Sequence, residues 1–408
     1  MKARTSSLTY INYGQQLNKG YFGLNGYPID QVYSDLRHIY RDLKIKGVRI
    51  SQTGDRSESG QYLAFQKQAA QVALDIGFEK VICGFQPGKH MNDWGIRQTN
   101  MKEFMLALGE WMDDQGSPNL HYAVINETEP YWAQAWATAA LSVRSGSEIA
   151  MTMNYPHKVQ VGETYDIQGM TAIHGNRDNM VVSSIVDDYT LVLTTQLAGS
   201  NGTVVGGQIR MAETTAIQAA FDLVTYLKAN GVTTHITGAA AQGQLAYWQA
   251  KGGKGPFDSI SVNIYGENGN TQLALFKDFV SQLLGYVGLF GYEMEVTEWA
   301  LHANYNNYPS DKNEQEFWMR ARYNVIEALG LIHYFFTYRS DSYKDSRNDA
   351  WAAKYTWETG NVIGQPVGGL LNYPSGAGGN TQGGGGERWL HILTKTPPRY
   401  LDVPGTIY

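Results

Sequence analysis

Two short motifs present carboxylates in a form that can do chemistry. YAVINETEP sets Asn126 and Glu127 at the end of one short apolar run, and YEMEVTEWA sets Glu298 at the end of another. One carboxyl that protonates a leaving oxygen, and a second that attacks the adjoining carbon or activates water, are what cleavage of a glycosidic bond requires. The pairing carries that chemistry. A strand-end Glu on its own is more often solvated or salt-bridged at the surface. Other chemistries leave no trace: Gly-x-Ser-x-Gly, His-Glu-x-x-His, Cys-x-x-Cys and the Walker pattern are absent from the sequence. A reaction run by two carboxylates needs neither metal nor organic cofactor, so no cofactor is expected.

Two glutamates so far apart in sequence need a frame that brings them to one rim. Short β-branched or aromatic runs alternate along the chain with segments whose apolar residues recur every three or four positions. The runs are Tyr21–Asn25, Gly47–Ser51, Lys80–Phe85, His121–Asn126, Thr234–Thr237, Ser259–Tyr265, Glu293–Glu298 and Ile332–Tyr338. Between them, Asp30–Leu43 sets Val32, Leu36, Ile39 and Leu43 on one helical face, and Asn313–Leu329 does the same with Phe317, Ala321, Val325 and Leu329. This alternation predicts an α/β fold, a (β/α)8 TIM barrel, whose functional groups gather at the C-terminal ends of the strands. Glu127 then ends strand four and Glu298 ends strand seven.

The alternation breaks between Ser145 and Met211, in a tract rich in Val, Thr, Gly and Asp. Its spacing of short strands and polar turns reads as a small all-β domain, residues 146–211, inserted after strand four. The barrel is then made from residues 1–145 and 212–408, resuming with a helix over Glu213–Ala229. A second biased stretch, Gly376–Glu387, reads as a surface loop or linker; no Gly-Lys-Ser/Thr follows to make it a phosphate loop.

Composition narrows the partners. The 408 residues can build a large core without disulfide or metal staples. Charged residues make up 17% of the chain, below the roughly 25% of an average domain, so polarity must come from uncharged groups. Abundant Gly (45), Tyr (27) and Trp (10) suit flat, hydrogen-bonding surfaces that hold sugars. A net charge of -6 with no basic arm or stripe argues against nucleic acid as a partner. The single cysteine, Cys83, lies in the apolar run KVICGF and is expected to be a buried, inert thiol. The N-terminal MKARTSSLTYINYGQQ lacks the apolar core of a secretory signal, and no run of about 18 apolar residues is present to span a bilayer. A soluble protein with no membrane partner is the expectation, and the sequence assigns it no location.

On these motifs the chain resembles the clan A glycoside hydrolases, whose barrels carry an Asn-Glu acid/base at the end of strand four and a nucleophilic Glu at the end of strand seven. The resemblance covers residues 1–145 and 212–408. It implies that Glu127 is the general acid/base, that Glu298 is the nucleophile, and that Asn126 bonds the sugar hydroxyl next to the reacting carbon. It further implies that Arg49, in GVRIS, and Tyr265, in SVNIYG, hold and orient the nucleophile. The residue chemistry agrees: a guanidinium beside Glu298 keeps it ionised, whereas Glu127 needs a raised pKa to remain an acid. A buried ion pair for Arg49 and a capped core aromatic for Tyr265 are the plainer readings. Two features depart from the pattern. Thr128 and Glu129 stand before Pro130 where the family often has Pro directly after Asn-Glu, which makes Glu129 a rival acid. Strand eight reads HYFFTYRSD where many relatives end in a Trp that floors the sugar site; either Tyr338 takes that place or the floor is missing. Trp94, Trp132 and Trp299 lie just beyond strand ends and are candidate sugar platforms. His90 and His302 flank the same cleft and are set aside as structural.

The tract MTAIHGNRDNMVVSSIVDDYTLVLTTQLAGSNGTVVGG resembles the small FCCH-like β domains of ubiquitin-activating enzymes and bacteriophage tail proteins. Its phage association implies a bacterial surface glycan, and other virion proteins, as partners. Two classes of function stand at this point. One is a retaining hydrolase of a β-linked polysaccharide or oligosaccharide, with carboxylates about 5–5.5 Å apart. The other is a glycan-binding or structural tail component on the same barrel, without turnover.

Overall fold

The computed structural model describes residues 9–12, 32–33, 36–37, 40–41, 46–54, 59–87, 95–126, 137–170, 177–195, 199–240, 243–264, 272–299 and 312–336. In chain order its strands begin with β1 (Thr9–Asn12), β2 (Gly47–Gly54), β3 (Lys80–Pro87) and β4 (Leu120–Asn126). There follow β5 (Ala137–Ser145), β6 (Glu148–Met153), β7 (Thr164–Gln168), β8 (Arg177–Ile185), β9 (Thr190–Thr194), β10 (Gly202–Val205) and β11 (Gln208–Met211). The last are β12 (Ile236–Ala240), β13 (Ser259–Ile264), β14 (Glu295–Trp299) and β15 (Ile332–Phe336). The helices are α1 (Ser59–Ile76), α2 (Thr99–Gln115), α3 (Glu213–Ala229), α4 (Leu245–Ala250), α5 (Gln272–Phe290) and α6 (Lys312–Leu329).

Eight strands close into a barrel in the order β1-β15-β14-β13-β12-β4-β3-β2, every pairing parallel. Parallel neighbours need a crossover between them, and the helices supply it on the outside of the ring. The first expected strand, Tyr21–Asn25, lies outside the described residues. Its place in the ring is taken by β1, where Tyr10 pairs with Gly47 on one side and Tyr334 on the other. TYIN is short, but its aromatic and β-branched residues suit a strand flanked on both edges.

The helices dock through regular apolar stripes. On α2, Met101, Phe104, Met105, Leu108 and Met112 recur at three- and four-residue spacing, and all are buried. The hydroxyl of Tyr122 on β4 donates to the Met105 carbonyl at 2.7 Å, tying strand to helix. Gln66 of α1 donates to the Ile50 carbonyl at 2.6 Å and lies 3.3 Å from the sulfur of Cys83. Burial pushes that thiol up to about 12, so Cys83 is the inert packing residue its context suggests. Trp248 of α4 is fully buried among Phe221 of α3, Phe257 and Phe290 of α5, with ring centroids 5.7, 6.1 and 5.7 Å away. In the expected helix over Asp30–Leu43, Val32 and Leu36 are both fully buried. On α6 the expected face holds in part: Val325 and Leu329 pack against the core, but the first turns differ. Phe317 is 57% exposed, while Arg322 and Ile326 are buried. Arg322 turns inward with its guanidinium over the Phe279 ring, 5.0 Å from the centroid. Helix α5 holds a window, Leu273–Phe290, with mean hydropathy 1.3, long and apolar enough by composition to cross a bilayer. Here it packs against β13, α4 and α6 as an outer helix of the barrel.

Between β4 and β12 the chain makes a second, antiparallel sheet in the order β10-β5-β11-β7-β8-β9-β6, which β5–β6 pairing closes on itself. Ile149, Met151, Tyr165, Ile167, Leu191 and Leu193 fill its inside. The sheet begins earlier than residue 146: β5 alternates buried and exposed positions, and its Ala137 and Thr138 pair with Ile209 and Gln208 of β11. Gly207, at φ 94°, joins β10 to β11 where a side chain would collide with Ser142 and Met170.

The barrel's interior is polar. Lys80 of β3 and Glu295 of β14, four places apart around the ring, form a buried ion pair. Near them the rings of His121 and His235 lie 4.4 Å apart, and His235 Nε2 meets the Ser259 hydroxyl at 2.7 Å. Burial, then the Lys80 charge, then His235 hold His121 down to about 3. Burial also lowers His235, against the pull of Asp258.

Two tests follow from this packing. A histidine held below its ordinary value binds its proton only in the unfolded chain over the interval between the two. Stability is therefore full above about pH 6.5 and falls as pH drops toward 3, by up to about 1.4 kcal/mol per pH unit for His121. Urea midpoints measured at stepped pH should decline through this interval, and His121→Asn should flatten the decline; an unchanged slope would refute the assignment. Gly84 of β3 faces Ala123 of β4 so closely that a Cβ there would overlap the Ala123 carbonyl oxygen. Gly84→Ala should cost about 3 kcal/mol in denaturant unfolding, because backbone cannot yield as a side-chain tip can.

Candidate active site

The mouth of the barrel is built by the C-terminal ends of its strands, and two bulges shape it. Along β13–β14, Val262 pairs with Val296 and Asn263 with Glu298, which leaves Thr297 as an extra residue in β14. Along β4–β12, Ala123 pairs with Thr237 and Ile125 with Gly238, which leaves Val124 extra in β4. An extra residue breaks the strict alternation of sides, so the residues after it present faces that the pleat alone would not give them. Asn126 follows one bulge and Glu298 the other. Their strands are three places apart in the ring of eight, and both residues stand at its C-terminal end.

The layers below are set by register. Lys80 and Glu295 reach each other across the interior, so their faces of β3 and β14 look inward. Gly47 pairs with Lys80 and Arg49 with Ile82, which puts Arg49 on the same inward face one layer nearer the mouth. Arg49 is 2% exposed. Ser261 pairs with Glu295, and Asn263 lies one layer above it. Thr297 donates its hydroxyl proton to Asn263 Oδ1 at 2.6 Å, both side chains being buried. That bond engages the amide oxygen of Asn263, the residue that pairs with Glu298 in the β13–β14 ladder.

Electrostatically the column alternates. Burial pulls Lys80 down to about 7, so its charge depends on the carboxylate of Glu295 that it faces. With Glu295 engaged by Lys80, Arg49 brings a positive charge to the layer between that pair and the mouth.

Of the residues expected from sequence, Arg49 is thus a buried interior residue of β2. Asn126 is the last residue of β4, and Glu298 and Trp299 are the last two of β14. Trp299 pairs with Ile264 of β13. Glu127, Tyr265, Trp94, Trp132 and Tyr338 lie outside the described residues, as do Glu129, His90 and His302. Asn263, Thr297 and the Lys80–Glu295 pair are additions. For Asn263, Thr297 and Glu295 the signal was the alternation of polar with apolar residues in SISVNI and EVTEW; Lys80 opens the apolar run KVICGF. Among the described residues no group of three His, Cys, Asp or Glu could hold a metal ion.

No family model matches the chain, and no curated protein matches it. Solved structures do. The catalytic domain of Thermobifida fusca endoglucanase Cel5A is similar over 96% of this chain and 92% of its own, at 11% identity and a TM-score of 0.50. A mannanase catalytic domain from Streptomyces sp. SirexAA-E is similar over 95% and 86%, at 11% identity and 0.46. A GH5 cellulase from an Icelandic hot spring isolate is similar over 85% and 76%, at 10% identity and 0.42. The chain shares with the first of these its parallel α/β barrel fold.

Proposed function

We propose that the protein is a retaining glycoside hydrolase acting on a β-linked glycan, with Glu127 as acid/base and Glu298 as nucleophile. The observation that carries the reading is the register. Asn126, with Glu127 directly after it, and Glu298 end two strands of one parallel barrel, each just beyond a bulge, at the rim where such barrels hold their chemistry. The fold shared with the endoglucanase is consistent with it.

In this mechanism Glu127 protonates the leaving oxygen while Glu298 attacks the anomeric carbon. Water, activated by the same Glu127, then releases the glycosyl group. Arg49 supplies the positive charge that keeps Glu298 ionised. Asn126 holds the sugar, Tyr265 helps orient the nucleophile, and Trp94, Trp132, Trp299 and Tyr338 line the subsites. The antiparallel sheet between β4 and β12 is read as an inserted domain that borders the cleft and lengthens the substrate surface. Its likeness to FCCH-like modules makes a bacterial surface polysaccharide the substrate, and a phage the source, that this reading favours.

Release of reducing ends from a panel of plant and bacterial-surface polysaccharides tests it. One glycan should be cleaved, with a loss on the order of 10²–10⁴ in Glu127→Gln and a fall to background in Glu298→Gln. The first product should keep the anomeric configuration of the bond broken. Inversion would make Glu298 a base rather than a nucleophile. Silence on the whole panel with glycan binding intact would leave a barrel that binds without turnover.

A further inference from the structure

Outside the barrel ring, where α2 and α3 meet the antiparallel sheet, lies a cavity of about 420 Å³. Arg97 comes to it from just ahead of α2, Lys102 from the first turn of α2, Asp222 from α3, and Lys158 and Asp188 from the antiparallel sheet's connections. Val159 and Ile185 give it an apolar wall. The volume is within the range of small-molecule sites and accommodates one or two sugar rings.

Its frame is held firmly. The Arg97 guanidinium is nearly buried and forms an ion pair with Glu163, ahead of β7, and reaches Asp222 at 3.4 Å. Glu163 Oε2 also accepts from the Gln160 amide at 2.9 Å and the Tyr165 hydroxyl at 3.1 Å. His157 is a brace: Nδ1 accepts from the Val159 amide at 3.0 Å, and Nε2 donates to the Asp187 carbonyl at 3.1 Å. Gln98 donates to the Pro156 carbonyl at 3.0 Å.

The ion pairs neutralise Arg97, although its buried Nε finds no hydrogen-bond partner among the described residues, and they leave two ammonium groups. Lys102 lies 5.4 Å from the centroid of the Tyr226 ring, and Lys158 is exposed. Among the described residues neither meets a carboxylate at ion-pair distance. Lys158 is moreover held at φ 52°, a left-handed backbone that disfavours a lysine by roughly 1–2 kcal/mol and that glycine would adopt without strain. A strained residue with an unneutralised charge on a cavity edge is a ligand-facing arrangement.

We propose that this cavity is a second carbohydrate site, apart from the barrel mouth, which takes a carboxylate-bearing sugar. Lys102 and Lys158 hold the carboxylate, Asp188 and Asp222 accept from ring hydroxyls, and Val159 and Ile185 pack against the ring. That the anion is carried by a sugar rests on the hydrolase reading of the barrel; that the ligand is anionic rests on the two lysines. The site would grip an acidic polysaccharide alongside the mouth.

Calorimetric titration of the full chain with tetragalacturonate, a neutral tetrasaccharide and a sugar phosphate tests this. Tetragalacturonate should bind, weaken as sodium chloride is raised, and lose about tenfold in affinity in Lys158→Gly and in Lys102→Ala. Lys158→Gly relieves the backbone strain, so a folding failure does not mask the result. Tetragalacturonate binding that both variants leave unchanged, or none at all, overturns the site, and equal or tighter binding of the sugar phosphate overturns the carboxylate assignment. Lysine-dependent uronate binding without cleavage of any glycan keeps this site and removes the hydrolase reading. Cleavage of a neutral glycan without uronate binding does the reverse.

Discussion

A lysine and a glutamate that meet across the inside of the barrel decide how the rest of it is read. Taking both charges out of water costs several kcal/mol each, and their mutual attraction offsets this only if they stay in contact. Lys80 and Glu295 come from strands on opposite sides of the ring. Their contact therefore fixes which face of β3 and of β14 looks inward. A slip of one residue in either strand would turn its whole set of side chains around and part the pair. Arg49, two positions on from Gly47, inherits its inward face from that choice.

The functional end of the barrel is reached by breaking the same alternation. From Glu295, strict period two would turn Thr297 and Trp299 inward and Glu298 outward. The extra residue at Thr297 interrupts that sequence and brings Asn263, an inward residue, beside Glu298 in the ladder. Thr297 does not leave its own hydroxyl unsatisfied in doing so, since Asn263 accepts from it. Val124 makes the corresponding interruption in β4 ahead of Asn126. One register serves the ion pair at the base and another the residues at the rim, with a bulge between them.

Much of this frame is legible in the sequence, because hydrophobic periodicity survives without knowledge of partners. Helix α3 has the ends that its apolar spacing predicts, and the runs ending in Asn126 and Glu298 are strands of the ring. What fails, fails for physical reasons. Tyr21–Asn25 and Thr9–Asn12 are both short aromatic runs, and only pairing with β2 and β15 distinguishes the strand that the barrel uses. On α6, Val325 and Leu329 pack as their spacing predicts, but Phe317 does not, because Arg322 is buried with its guanidinium over Phe279 where a periodic reading puts it in solvent. The edge of the antiparallel sheet is placed late because β5 alternates as a surface strand would. The alternating polar residues of SISVNI and EVTEW mark Asn263 and Thr297 as interior, but a bulge leaves no mark on composition, so their pairing beside Glu298 is set by the ladder alone.

The long excursion between β4 and β12 raises the question of how a barrel bears it. The chain goes into the antiparallel sheet through β5 and comes out through β11, and these two strands pair with each other at Ala137–Ile209 and Thr138–Gln208. The ends of the excursion are thus zipped together, and from the barrel's side the connection spans a short gap however many residues lie beyond it. Zipping alone would leave a hinge. Thr215, in the first turn of α3, closes it by accepting from the Thr164 amide at 3.0 Å and donating to the Thr164 carbonyl at 2.9 Å. Arg97 adds a second restraint on the other side, with Glu163 from the sheet and Asp222 from α3. Bonds at two separate points resist both bending and twisting, whereas one would resist neither fully. The cavity lined by Lys102 and Lys158 therefore keeps its shape because the restraints that hold the sheet to the barrel run along its wall.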